Sequence, residues 1–231
     1  MKRLVLFDID GTLLMTDGAP RRAFHRAMLE VYRTTGPIAT HPFDGKTDPQ
    51  IARELLTHAG LPAAAVDRGL SALWHAYLRE LSAEFAQPGS RTTVLPGIVA
   101  LLGELESRGD EVLLGLLTGN IQEGAWLKLA SAGIRNTFRI GAYGSDCERR
   151  DDLPPVAVER ARAAVGVEFM RTDIVIIGDT PSDVTCGRAL GVRAIGVATG
   201  RYGRGELSDA GAAAVFDDLS QTDSVLEAIL G

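Results

Sequence analysis

The chain has 231 residues, 45% hydrophobic and 23% charged, with 24 basic against 30 acidic side chains and a net charge of −6. That composition supports one large domain, or one domain carrying an insertion, and excludes disordered, collagen-like and coiled-coil chains. It also excludes a uniformly basic surface for nucleic acid or anionic membrane.

In chain order, Arg3–Phe7 reads as a short buried strand that runs into a polar loop containing Gly11. Pro20 opens a helix with Phe24, Ala27, Met28 and Val31 at helical spacing, stopped by Gly36-Pro37. Asp48-Pro49 opens a second, with Ile51, Ala52, Leu55 and Leu56 on one face. Pro62 opens a third, along which Val66, Leu70, Leu73, Tyr77, Leu81 and Phe85 recur every three or four residues until Pro88-Gly89. From about residue 92 helix and strand alternate. Helices at 97–108, 122–132, 155–165 and 182–190 lead to apolar runs at 112–117, 138–140, 174–177 and 194–197. Continuous apolar strands between amphipathic helices indicate a parallel sheet covered on both faces. The reading is an α/β chain: a doubly wound core of residues 1–16 and 92–231, interrupted by an all-helical block at 17–91.

Ligands of such sheets bind beyond the carboxyl ends of the strands. The polar residues expected there are Asp8 and Asp10, Thr118, and Asp179 with Asp183. Four converging carboxylates need a compensating cation or shared protons, and an all-oxygen donor set favours Mg²⁺ over zinc or copper. The histidines, His25, His41, His58 and His75, all fall in the helical block without ligand spacing, and are expected to be surface or half-buried residues. Gly45-Lys46-Thr47 lacks the upstream glycine of a phosphate-binding Walker loop, since position 40 is Thr40. Gly200, Gly203 and Gly205 do not fit the dinucleotide fingerprint.

Asp8-Ile9-Asp10-Gly11-Thr12-Leu13, Thr118-Gly119-Asn120 and Gly178-Asp179-Thr180-Pro181-Ser182-Asp183 resemble motifs one, two and four of the haloacid dehalogenase superfamily. Order, spacing and strand context agree over almost the whole chain. The helical block resembles the C1-type cap of that family, and the segment from Gly196 to Leu219 is similar in style to its phosphoglycolate phosphatase-like branch. The resemblance implies a Rossmannoid fold and a Mg²⁺-dependent phosphatase acting on a small phosphorylated metabolite. Asp8 would be the nucleophile and Asp10 the general acid and base. Thr118 would bind a phosphoryl oxygen, helped by the amides of Ile9 and Gly119. Asp8, Asp179 and the Asp10 carbonyl would hold the metal, with Asp183 completing its shell directly or through water. Lys46, on a loop resembling one that faces the active site from the cap, is a candidate substrate contact. Asn120 reads either as a substrate contact or as the N-cap of the next helix.

Motif three is where the chain departs from the family, which usually supplies a lysine there. The chain's lysines are Lys2, Lys46 and Lys128, so none follows position 128. An arginine of Glu148-Arg149-Arg150-Asp151 must stand in. Arg150, nearer the helix start at Pro154-Pro155, is the better candidate. A sugar-phosphate mutase and a pyrophosphate or nucleotide hydrolase share these residues and remain alternatives. A non-catalytic phospho-ligand-binding protein is the reading from another class. Cys147 and Cys186 lie far apart without metal spacing, and the apolar run before Asp8 is too short for a signal sequence. A cytoplasmic protein with reduced thiols and no membrane partner is expected.

Overall fold

A computed structural model describes residues 2–134 and 136–231. Along the chain run β1 (Arg3–Phe7), β2 (Leu14–Met15), α1 (Ala19–Tyr32), α2 (Asp48–His58), α3 (Ala63–Ala86), β3 (Thr93–Val94), α4 (Ile98–Ser107), β4 (Val112–Thr118) and α5 (Gln122–Ser131). They are followed by β5 (Ile140–Tyr143), α6 (Leu153–Val165), β6 (Ile174–Gly178), α7 (Pro181–Cys186), β7 (Arg193–Val197), α8 (Arg204–Asp209), β8 (Ala214–Phe216) and α9 (Thr222–Leu230). Six strands form one sheet in the order β5-β4-β1-β6-β7-β8, and every pairing is parallel. The α/β class and the doubly wound sheet are as expected from the sequence.

The apolar strands are explained by the layers on either side. Val5 and Phe7 of β1 join Leu114, Leu116, Val175 and Ile177 in a core covered by Ile98 and Leu101 of α4, Leu129 of α5 and Val225 of α9. Their neighbours Leu4 and Leu6 point the other way and join Leu113, Leu117 and Ile176 under Leu153 and Ala157 of α6 and Leu207 of α8. Period-two alternation therefore buries every residue of β4 and β6, because both faces are core. In register, Phe7 lies opposite Leu116 on one side and Ile177 on the other. The residues just after β1, β4 and β6 consequently emerge together at one edge.

Helices α1, α2 and α3 bury a separate apolar cluster built on Phe24, Met28, Leu55, Leu73 and Tyr77. Phe24 and Tyr77 meet edge to face at 5.2 Å. A polar seam runs beside them: Glu84 of α3 is buried and receives Arg22 Nε at 2.8 Å as well as Arg26.

Some details differ from the sequence-based expectation, which also contains no α8, β8 or α9. Strand β5 lies at Ile140–Tyr143 rather than 138–140. Phe138 is spent on edge-to-face packing with Phe7 at 6.0 Å, and the ladder to β4 starts only where Ile140 faces Gly115. The helix expected at 182–190 stops at Cys186 and continues as a tight turn at Arg188–Leu190. Val192 folds back there, so close that a Cβ on Gly187 would lie 2.5 Å from its Cγ2. The antiparallel β2–β3 pair has no signature in the sequence, because two residues a side carry no readable period.

Candidate active site

The edge formed by the ends of β1, β4 and β6 opens into a cavity of about 250 Å³. Its floor carries Asp8, Asp10, Thr118, Arg150 and Asp179, and its walls include Phe24, Phe43, Lys46, Ile51 and Tyr77 from the helical block. Asp8 follows β1 directly, and its amide still donates to Ile177 O at 3.0 Å, so strand pairing fixes its backbone. Gly11 allows the chain to turn next to Asp179. Its φ is +81°, and a Cβ there would fall 2.3 Å from Asp179 Oδ2. Thr12 Oγ1 donates to Asp179 Oδ1 at 3.2 Å.

One oxygen from each of Asp8, Asp179 and Asp183 lies within 4.8 Å of the other two, and all three residues are buried. Burial raises the Asp8 carboxyl to about 7, with Arg150 opposing the shift and Asp183 and Asp10 adding to it. Burial, then Asp183 and Asp8, raise Asp179 to about 9. Carboxylates pushed this far up by desolvation and like charge lack sufficient positive charge, and a divalent cation among hard oxygen donors relieves both effects. The donor set therefore fits Mg²⁺. Asp183 is already engaged: Oδ2 accepts from the Thr180 amide at 3.0 Å and hydroxyl at 2.7 Å, as the capping box of α7, and Oδ1 accepts from Arg150.

The structure brings Arg150 into this cluster and leaves Arg149 outside it. Arg150 is 6% exposed, and its Nη2 lies 3.1 Å from Asp8 Oδ1 and also contacts Asp183 and Leu117 O. Burial works against its charge, but Asp183 and Asp8 outweigh this and raise its pKa. Arg149 is 76% exposed, with the carboxylates of Asp151 and Asp152 at 4.0 and 3.9 Å. Lys46 lines the cavity, but its ammonium is paired with Glu54 and sits 3.3 Å from His41 Nε2. Gly119 seats the loop that carries Lys46. A Cβ there would lie 2.0 Å from Lys46 O, and its own carbonyl accepts from the Asp48 amide at 2.7 Å.

Three buried polar residues of the site have partners that the sequence does not reveal. Asn120 is not a helix cap: the N-cap of α5 is Ile121, and no side chain caps it. Instead Asn120 Nδ2 donates to Asp10 Oδ2 at 2.8 Å and Thr118 Oγ1 at 2.7 Å. Lys128, near the end of α5, reaches Asp10 Oδ2 at 2.6 Å. Its signal in the sequence is a lysine on the same helical stripe as Ala125 and Leu129, where a solvated charge does not belong. Asp48 is buried and accepts from the Ile121 amide at 2.8 Å, and burial raises it to about 6 while Lys128 opposes the shift.

Residues 5–188 match the profile of the haloacid dehalogenase-like hydrolase family. The phosphoglycolate phosphatase of Rhodospirillum rubrum is 28% identical over 95% of this chain and 89% of its own. The probable phosphatase IndB of Dickeya dadantii is 26% identical over 100% and 96%. The crystal structure of a hydrolase from Pseudomonas syringae superposes with a TM-score of 0.73 at 20% identity, covering 99% of each chain. The family profile spans most of the chain, residues of all three motifs line one cavity, and the fold agrees. The chain therefore belongs to the haloacid dehalogenase-like hydrolase family, as an enzyme of the phosphatase type that its curated relatives represent.

Proposed function

We propose that the protein is a Mg²⁺-dependent phosphatase that hydrolyses a small phosphomonoester through an aspartyl-phosphate on Asp8. The observation that carries this reading is the pairing of Asp8 with the Arg150 guanidinium at 3.1 Å on the floor of a cavity also lined by Thr118. A carboxylate that attacks a dianionic phosphate needs such a fixed cation beside it. Thr118 Oγ1 accepts from Asn120, which leaves its own O–H to donate to a phosphoryl oxygen. Asp8, Asp179 and the Asp10 carbonyl would hold the Mg²⁺, with Asp183, already bonded at both oxygens, acting through water. When bound, the ion supplies positive charge between phosphate and carboxylates.

In the first step an Asp8 oxygen attacks phosphorus as the bond to the ester oxygen breaks, and Asp10 gives that oxygen a proton. In the second, water attacks the same phosphorus, Asp10 takes the water proton, and the bond to Asp8 breaks to release phosphate. Residues 17–91 act as the cap over the site. The volume of about 250 Å³ suits an ester of a few carbon atoms, such as the phosphoglycolate named for the Rhodospirillum rubrum relative. Phosphate release across a panel of small esters and pyrophosphate tests the reading, with Asp8→Asn as control. The expected outcome is Mg²⁺-dependent release from small esters that Asp8→Asn abolishes. Residual activity within ~10-fold of the parent in that variant would exclude Asp8 as nucleophile.

A further inference from the structure

Lys128 is a buried cation to which the two-step mechanism assigns no task. Its side chain is 4% exposed, on the face of α5 that also carries Ala125 and Leu129 into the core. An ammonium placed there needs full pairing, since burying an unpaired charge is costly. Its partners are Asp10 Oδ2 at 2.6 Å and Asn120 Oδ1 at 2.5 Å. The ammonium only donates, so Asn120 must turn its carbonyl oxygen toward Lys128. Its amide nitrogen then faces Asp10 Oδ2 and Thr118 Oγ1. Asp10 Oδ2 thus receives two N–H donors. Among the described residues no side chain donates to Asp10 Oδ1, and the Asp10 side chain remains 40% exposed toward the cavity.

We propose that Lys128 is a positioning residue for Asp10. Together with Asn120 it pins one carboxylate oxygen, so that Oδ1 is the atom that passes a proton to the ester oxygen and takes one from water. Two donors on Oδ2 leave no room for a proton there, and anchoring it stops rotation of the carboxylate about its side-chain bonds. Asp10 lies beyond the end of β1, where a lone bridge to Leu14 takes the place of sheet pairing, so this clamp adds the rigidity that the sheet gives Asp8. The inference rests on the general acid–base reading of Asp10.

The test compares kcat/KM for two Mg²⁺-supported substrates, p-nitrophenyl phosphate and an alkyl phosphate that the parent hydrolyses. Nitrophenolate departs without a proton, whereas an alkoxide requires one, and kcat/KM reports the first phosphoryl transfer. The ratio of the two values cancels the fraction of folded enzyme, so a partly unfolded variant still answers. Lys128→Met is expected to lose at least ~10²-fold on the alkyl ester and under ~10-fold on the aryl ester. Lys128→Gln, which keeps a donor to Asp10, is expected to recover part of the ratio. Equal losses on both esters would overturn the positioning role, as would a ratio unchanged from the parent. Either result leaves the phosphatase reading intact as long as Asp8→Asn abolishes both activities.

Discussion

Arg150 carries the charge balance of the site at a position where the family usually has lysine. Its Nη2 bridges Asp8 and Asp183, so truncation leaves two buried carboxylates without their cation. Arg150→Ala is expected to lower kcat/KM by at least ~10²-fold, and Arg150→Lys to recover only part, because a point charge does not reproduce the fork. Arg149→Ala should stay close to the parent. The three variants on one substrate, with their melting curves, check this, and a larger defect at Arg149 would reverse the assignment. The buried Asp48 carboxyl makes stability depend on pH. Its folded-state pKa of about 6 lies above the ordinary 3.8, so the native state binds its proton more tightly than the unfolded chain does. Stability is therefore lost as pH rises through this window, reaching about 3 kcal/mol above pH 6. Asp48→Asn, whose amide oxygen can still accept from Ile121, should gain about 2 kcal/mol on the parent between about pH 4 and about pH 8. Parallel stability profiles for the two proteins would contradict it.

At the scale of elements, the helical block meets the core through backbone rather than through side chains alone. The loop before α2 rests on the end of β4: the Asp48 amide bonds Gly119 O, and Thr47 Oγ1 donates to Glu148 O at 2.6 Å. Arg53 of α2 adds an ion pair to Glu148 at 2.8 Å. Gly119→Ala would set a methyl 2.0 Å from Lys46 O, and backbone cannot yield as a side-chain tip does. The loop should lift away from the site. The expected result is a cost of ~1–3 kcal/mol in stability and a rise in KM larger than the fall in kcat, measured by denaturation and steady-state kinetics. Which elements the sequence revealed follows from burial. Strands β4 and β6 are core on both faces and appear as unbroken apolar runs, whereas β2 and β3 offer two residues each. Asp8, Asp10, Thr118 and Asp179 were legible because motif and strand end coincide. Asn120 was not, because a cap is an equally good reading of its place before α5, and Lys128 was not, because one charged residue on the stripe of Ala125 and Leu129 is a weak signal that names no partner. The fold shows that α5 turns this lysine toward Asp10.

Over the whole molecule, one cavity joins a sheet edge supplying carboxylates to a helical block supplying the apolar walls Phe24, Phe43 and Tyr77. No helix among the described residues is long and apolar enough to cross a membrane. The crowding of Asp8, Asp179 and Asp183 predicts that Mg²⁺ stabilises the folded state, since an ion bound only there shifts the equilibrium by mass action. The melting temperature should rise with Mg²⁺, and Asp179→Asn should shrink that rise. An unchanged response in the variant would remove Asp179 from the ligand set. The covalent step on Asp8 is open to direct trapping. Enzyme turning over an ester with labelled phosphate is quenched in acid, digested, and its peptides are sequenced by mass spectrometry. A phosphoryl group is expected on Asp8 during turnover and is expected to be missing from Asp8→Asn. Label on another residue, or sustained turnover in Asp8→Asn, would contradict it.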